Sequence, residues 1–247
     1  MNILAFDTCF DACSTALRLG RDGRTIVRVE AMQRGHAEAL PPMINAVMDE
    51  AKLRFGELDR IAVTHGPGTF TGTRVGLAAA LGLATGLGLP VVAKSSLLCV
   101  ARSVADILDE QAEAYDGVLV VRDAKRGTLF AEIMGLAGHD GLDPTALDVD
   151  ALREIIGDRR LVVAGESARS VLGEVDQIGR GGSRWLDAII APVPPLIYEP
   201  NARALLADAV TAKPADPLRP LYLRPPDAVA SRRSVIPRKP PGMRPHE

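Results

Sequence analysis

The amino-acid sequence predicts an α/β protein in which helices pack against mixed β-sheets. Short apolar or alternating segments, typical of strands, are interleaved with longer segments whose apolar residues recur every three or four positions, typical of amphipathic helices. From the N-terminus the predicted order is β-β-β-α-β-α-β-α, which favours a sheet covered by helices. The chain has 247 residues, 47% hydrophobic and 24% charged, so it is long enough to bury a sizeable core.

The first elements are predicted from turn residues and periodicity. Apolar residues 3–6 and alternating residues 14–19 flank turn-forming residues that include Asp7 and Asp11, which predicts a β-hairpin. A third strand is predicted near 25–29 and a fourth at 60–64. Between these two strands, residues 35–53 show the spacing of an amphipathic helix, and two consecutive prolines mark either a kink or the start of its regular part.

A glycine-rich loop, residues 65–74, opens into a segment without charge that extends from Val75 to Ala93. The segment predicts a helix to about residue 88 and a strand at 90–93. It is long enough to raise the question of a membrane span, but Pro90 and the glycines argue against one. We expect no membrane association.

A second unit is predicted to begin near Tyr115. Its predicted elements are strands at 117–122, 128–134, 161–164 and 218–223 and helices at 95–108 (leading into it), 149–156 and 201–211. We therefore predict an N-terminal lobe at 1–110, a C-terminal lobe at 111–224 and a flexible, basic, proline-rich tail at 225–247, whose contact with RNA the sequence leaves open.

Composition narrows the function. The net charge of −2 gives no overall attraction to nucleic acid or membrane, and 4% aromatic residues argue against stacking platforms for single-stranded nucleic acid. Three cysteines, without a CxxC motif, predict neither a disulfide framework nor a cysteine zinc site and favour the reducing cytoplasm. The N-terminus lacks the pattern of a signal peptide.

The glycine-rich loop does not match the common phosphate motifs. A Walker A loop requires a lysine that is missing here, and Gly66, Gly68 and Gly72 lie two and four residues apart instead of two and three. A nucleotide loop built from Asp7, Thr8, Gly66 and Gly68 remains one interpretation, since helix N-termini attract anions. The other is that the glycines allow tight turns and close helix packing.

No catalytic set and no metal site are predicted. The four histidines include no pair at i and i+4, because His36 is followed by Leu40, and there is no GxSxG motif. The charged turn at Asp123 is best explained as a hairpin tip. The uncharged helix instead suggests an interface, because one side must cover the sheet and the small residues on the other allow a second backbone to approach. If this helix forms the interface, a carboxylate introduced at Gly76 is expected to abolish binding of the partner protein.

Four segments resemble the TsaB (YeaZ) family. They are ILAFDT at 3–8 with CSTAL at 13–17, GPGTFTGTRVG at 66–76, DAKRG at 123–127 and PLYLR at 220–224. The likeness spans about residues 1–224, is specific in the N-terminal part and is weak from about 135 to 200. At Lys125 the family has an arginine, and the effect of this departure is left open.

The resemblance implies an actin/Hsp70/sugar-kinase-like (ASKHA) fold with two ribonuclease-H-like lobes. It also implies a non-catalytic dimerisation subunit of the bacterial complex that forms threonylcarbamoyladenosine next to the tRNA anticodon. The implied partners are a catalytic paralogue, TsaD, that holds metal through a His-x3-His motif, an ATPase, TsaE, and tRNA indirectly; a homodimer is the alternative. ATP is expected to be used by the complex, with no cofactor bound by this chain alone. An ASKHA-type ATPase or a glycoprotease-like peptidase is the alternative function.

The family's interface uses the first two helices. This implication and the character of the uncharged helix together give the predicted interface residues: Leu40, Met43, Val47, Phe70, Thr71, Arg74, Val75, Gly76, Ala79, Ala80 and Leu83.

Overall fold

The computed structural model describes residues 1–108, 114–168 and 199–224. These residues form two β-sheets with helices packed on their faces, which confirms the predicted α/β class. None of the helices in the described ranges combines the length and hydropathy that a membrane crossing needs.

The first sheet has five strands in the order β3-β2-β1-β4-β5. Strands β1, β2 and β3 form an antiparallel meander, whereas β4 and β5 add in parallel to β1. The elements of this sheet are β1 (Ile3–Asp7), β2 (Ala12–Arg18), β3 (Thr25–Ala31), α1 (His36–Ala51), β4 (Arg60–Thr64), α2 (Phe70–Leu87) and β5 (Val91–Lys94).

Alternation along β1 divides the core of this sheet. Leu4 and Phe6 point to the face covered by α1 and α2, whereas Ile3 and Ala5 point to the opposite face. Helix α5 (Arg203–Thr211) covers that opposite face. All residues of β1 are buried, as expected for a strand in the middle of a sheet that has helices on both sides.

The second sheet has four strands in the order β8-β7-β6-β9. Its elements are α3 (Ser96–Leu108), β6 (Gly117–Asp123), β7 (Leu129–Gly135), β8 (Leu142–Leu147), α4 (Val149–Ile156) and β9 (Leu161–Ala164). Helix α3 covers one face of this sheet, and α4 covers the other. Cys9 and Phe10 from the β1–β2 turn join the cluster formed by α3 and the second sheet, so the two sheets share part of their core.

Two predictions about the C-terminal half need correction, and one strand was missed. Residues 218–223 form no strand, and strand β8 was not predicted. The single C-terminal lobe at 111–224 is also wrong in one respect, because α5 packs on the first sheet. The predicted tail, 225–247, lies outside the described residues, as does the boundary at 110–111.

Candidate functional site: the α2 surface and the β1–β2 turn

The glycine-rich loop packs directly on the β1–β2 turn. The backbone N–H of Thr69 donates to the carbonyl of Cys9 at 2.7 Å, and Thr8 Oγ1 donates to the carbonyl of Gly72 at 2.7 Å. A Cβ built on Gly68 would lie 2.5 Å from the Cys9 carbonyl oxygen, and one built on Gly76 would lie 2.7 Å from Thr8 Oγ1. These glycines therefore allow two backbone segments to touch, a role that needs no ligand.

Asp7 ends β1 inside this contact. Its carboxylate is fully buried and accepts hydrogen bonds from Thr64 Oγ1 and from the backbone N–H of Cys9. Burial raises the pKa of Asp7 to about 7, because removing the ionised form from water outweighs these hydrogen bonds. Of the predicted nucleotide residues, Gly68 packs on the turn that contains Asp7 and Thr8, whereas Gly66 packs against Leu221. The side chains of Asp7 and Thr8 bond within the chain. Nucleotide binding at this loop stays a prediction.

A carboxylate from the C-terminal part of the chain reaches the same turn. Glu199 accepts the backbone N–H of Asp11 at 2.9 Å and pairs with Arg122 at 3.1 Å. Arg122 is buried and lies over the ring of Phe10, 3.8 Å from its centroid. The chain therefore supplies its own anion to this N–H and guanidinium. Sequence reasoning missed Glu199, since nothing in the local sequence links it to a turn 188 residues away.

His36 has a structural role. It is buried, and its Nε2 lies 2.8 Å from the carbonyl oxygen of Phe10. Leu40, one helical turn later, is buried in the core of the first sheet. Within the three described ranges, no three His, Cys, Asp or Glu side chains come close enough to hold a metal ion.

Helix α2 buries one face and exposes the other. Its buried residues are Gly72, Thr73, Gly76, Leu77 and Ala80, which pack on the first sheet. The exposed face carries Leu81, 58% exposed, together with Ala78, Gly82, Thr85 and Gly86. Arg74 is the only charged residue of the helix. The surface formed by the exposed residues of α2, which we call the α2 surface, is therefore almost without charge.

Five of the predicted interface residues require correction. They are Leu40, Met43, Val47, Gly76 and Ala80, and all are buried within the chain itself. The helical period correctly identifies a buried face, but the chain's own sheet covers that face. Phe70, Thr71 and Arg74 are exposed, and Val75, Ala79 and Leu83 are partly exposed, so these six remain available to a partner.

An aromatic–cation stack stands at the N-terminal end of the α2 surface. The Arg74 guanidinium lies 3.5 Å from the ring centroid of Phe70, and its Nε donates to the Tyr222 hydroxyl at 2.9 Å. The rings of Phe70 and Tyr222 are nearly parallel, at 16°, with centroids 6.4 Å apart. Sequence reasoning found Phe70 and Arg74 but missed Tyr222, which it placed in a strand.

The turn after β6 carries Lys125 in a left-handed conformation, with φ 68°, and Arg126 follows with φ 57°. The Asp123 carboxylate accepts from the backbone N–H of Lys125 at 2.7 Å and pairs with its Nζ at 2.9 Å. Arg224 donates to the carbonyls of Ala124 and Lys125. The backbone of this turn is thus held by groups other than the Lys125 side chain, which is 80% exposed.

Comparison with known proteins adds an independent line of evidence. Residues 27–162 match the family model described as TsaD, tRNA N6-adenosine threonylcarbamoyltransferase. The chain is 37% identical over 130 residues, 53% of its length and 52% of the relative's, to the tRNA threonylcarbamoyladenosine biosynthesis protein TsaB of Haemophilus influenzae. It is 32% identical to the Escherichia coli TsaB over 53% of each protein. The chain thus spans about half the length of these curated relatives.

Two further matches cover almost the whole chain. An uncharacterized protein of Mycobacterium tuberculosis is 30% identical over 227 residues, which are 92% of this chain and 93% of that protein. The solved structure of YeaZ from Pseudomonas aeruginosa is 28% identical, with a TM-score of 0.70, and covers 90% of this chain and 99% of that one.

Proposed function

Because the chain belongs to the TsaB (YeaZ) family of tRNA threonylcarbamoyladenosine biosynthesis proteins, we propose that it is the non-catalytic scaffold subunit that binds and supports a TsaD-type catalytic paralogue. In this proposal the paralogue carries out threonylcarbamoylation of the adenosine next to the tRNA anticodon. A TsaE-type ATPase joins the complex and uses ATP, and tRNA is contacted through the assembly. A cytoplasmic location follows from a tRNA substrate.

The observation that carries the proposal is the α2 surface. Phe70 and Leu81 are 61% and 58% exposed, and the residues between them that face solvent are small and uncharged apart from Arg74. Such a surface is costly to leave in water and typical of a partner site. A second copy of the chain is the alternative occupant of the same surface, so a homodimer would compete with the heterodimer.

A difference between two pairs of glycines in α2 supports this proposal. Gly72 and Gly76 are required by contacts inside the chain, but a Cβ built on Gly82 or Gly86 would meet no atom within 4 Å. Each interior glycine costs a helix about 1 kcal/mol relative to alanine. No contact within the described residues accounts for this cost at Gly82 and Gly86, whereas close approach of a second backbone would.

Catalysis in the partner is supported by the chemistry of the chain's own polar groups. Leu40 stands where a His-x3-His motif would need its second histidine, and it is buried in the core. Asp7 and Glu199 are engaged in hydrogen bonds or an ion pair within the chain. These features favour a supporting role over the ATPase and peptidase alternatives.

Reconstitution tests the proposal. The full chain, the paralogue, the ATPase subunit and the enzyme that supplies threonylcarbamoyl-adenylate are combined with tRNA, and threonylcarbamoyladenosine is quantified by mass spectrometry. We expect product to be lost when this chain is omitted and the chain alone to form none. Unchanged product on omission would contradict the proposal.

A matched pair of variants ties the result to the α2 surface. Ala78→Glu places a carboxylate on the exposed face of α2. Ala207→Glu places one at an exposed position of α5, on the opposite side of the first sheet. We expect loss of product with Ala78→Glu alone. The variant Gly76→Glu is unsuitable, because a Cβ at that position would collide with Thr8 Oγ1 and disturb the fold itself.

A further inference from the structure

We propose that Arg74 is a pre-oriented guanidinium that binds a carboxylate of the catalytic partner, and that Tyr222 is the residue that positions it. The inference rests on the proposed function and extends the α2 surface to the C-terminal segment 218–224. It concerns a contact that the sequence pattern of α2 alone does not reveal, because Tyr222 is 148 residues away from Arg74.

The stack fixes the plane of the guanidinium. Phe70 supports one face at 3.5 Å, and the Tyr222 hydroxyl accepts the Nε–H at 2.9 Å. Among the described residues, neither terminal nitrogen of Arg74 has a hydrogen-bond or ion-pair partner. The two terminal N–H groups therefore remain as a planar fork, which matches the two oxygens of a carboxylate. Holding the fork in advance lowers the entropy lost on binding.

The surroundings favour a protein carboxylate over a nucleic-acid phosphate. Arg74 is the only charge on α2, and the exposed residues of the helix around it are apolar or small. The segment 218–224 adds Arg219 and Arg224, and Arg224 already donates to the carbonyls of Ala124 and Lys125. A nucleic-acid interface would instead gather several basic residues. When an apolar partner covers this surface, Arg74 loses water and needs an anion, because an unpaired buried charge is strongly unfavourable.

Contacts with the glycine-rich loop and with the turn after β6 hold the backbone on either side of Tyr222. The backbone N–H of Leu221 donates to the carbonyl of His65 at 2.7 Å, and a Cβ on Gly66 would lie 3.0 Å from the Leu221 carbonyl oxygen. Two residues after Tyr222, Arg224 binds the carbonyls of the turn at Ala124. The segment is thus attached on either side of Tyr222, which keeps its hydroxyl beside Arg74.

The test measures the dissociation constant between the full chain and the catalytic paralogue by isothermal titration calorimetry at two salt concentrations. Arg74→Glu should weaken binding at least about 30-fold, as for other charge pairs in an interface. Arg74→Lys and Tyr222→Phe should weaken it less, about three- to tenfold, since the charge survives but its fork or its support is lost. Arg21→Glu, at a side chain that is 67% exposed on the β2–β3 turn, should leave binding unchanged.

Salt dependence separates an ionic role from a structural one. For the wild type, the dissociation constant should rise as the salt concentration rises. For Arg74→Met, most of this salt dependence should be lost, while the circular dichroism spectrum and melting temperature stay those of the wild type. Mutation of the partner's paired carboxylate to arginine should restore binding to Arg74→Glu.

Ala78→Glu distinguishes failure of this inference from failure of the proposed function. If Ala78→Glu abolishes binding and Arg74→Glu does not weaken it, Arg74 makes no such contact and the scaffold proposal stands. If neither variant weakens binding, the α2 surface itself is wrongly assigned. If Arg74→Glu weakens only the binding of tRNA to the assembled complex, the ligand is a phosphate and the carboxylate inference is overturned.

Discussion

The close contact between α2 and the β1–β2 turn predicts that Gly72→Ala destabilises the protein. A Cβ at this position would overlap the carbonyl oxygen of Thr8 and lie 2.6 Å from Thr69 Oγ1. Both neighbours are constrained, since Thr8 Oγ1 bonds the Gly72 carbonyl and Thr69 Oγ1 accepts the Gly72 N–H at 3.1 Å. The methyl group therefore cannot be accommodated by a side-chain rotation, and the backbone segments must separate.

The magnitude follows from two opposing effects. Inserting a methyl group into a packed contact costs about 1–3 kcal/mol, and more where backbone must move, whereas alanine gains about 1 kcal/mol of helix propensity over glycine. We place the loss in the free energy of unfolding at about 2 kcal/mol, which lowers the melting temperature by roughly 4–8 °C for a chain of this size.

Gly82→Ala is the matched control on the same helix. A Cβ there meets no atom within 4 Å, so only the helix propensity changes and the melting temperature should rise by about 2 °C. Thermal unfolding followed by circular dichroism checks both variants. A melting temperature of Gly72→Ala equal to that of the wild type would refute the packing explanation of the glycines. If ATP binding to the isolated chain were then detected and lost in this variant, the phosphate explanation would gain support.

Three further predictions concern stability. Folding raises the pKa of Asp7 to about 7, so the folded state holds a proton that the unfolded state releases near pH 4. Stability therefore falls between about pH 4 and 7, by up to about 1.4 kcal/mol per pH unit. Asp7→Asn should flatten this fall in urea titrations across that range, and an unchanged slope would show that the carboxyl is ionised in the folded protein. Arg122→Met leaves the Glu199 carboxylate without its ion-pair partner and should lower the free energy of unfolding in urea by about 3 kcal/mol. Arg28→Met, which removes the exposed pair with Glu50, should lower it by less than about 1 kcal/mol. Equal effects would contradict the burial of the Arg122 pair. Lys125→Arg should leave the melting temperature within about 2 °C of the wild type, because the side chain is exposed and the turn is held by Asp123 and Arg224; a larger shift would show that the family's arginine matters structurally.

Periodicity and turn residues were sufficient to predict most of the fold. The apolar run of β1 and the spacing of α1 are local signals, and the structure confirms both elements. The two sheets and their helices also match the fold of the solved YeaZ structure, as the family resemblance implied. Strand β8 was not predicted, because its sequence contains a proline and lacks clear alternation of apolar and polar residues. Residues 218–223 are apolar enough to predict a strand, but Pro220 has no N–H to donate. A single backbone hydrogen bond, from the N–H of Leu221 to the carbonyl of His65, attaches the segment to the neighbouring loop.

The candidate site was predicted only in part, for a physical reason. A helical period shows that Leu40 and Met43 share a buried face, but it does not say whether the chain or a partner covers them. Phe70 and Arg74 were found because they belong to the motif that opens α2. Tyr222 and Glu199 reach the site from distant positions in the sequence, and only the folded chain brings them together with it.

The central claim is that a catalytic partner covers the α2 surface, and thiol labelling tests it directly. Cys9, Cys13 and Cys99 are all buried, so Leu81→Cys introduces an exposed thiol at a side chain that is 58% exposed. The measurement is the rate of maleimide labelling with and without the catalytic paralogue, with Ala207→Cys on α5 as the control. At a partner concentration ten times the dissociation constant, we predict that labelling at position 81 slows about tenfold and that labelling at position 207 does not change. Equal slowing at both positions, or none at position 81, would contradict the account.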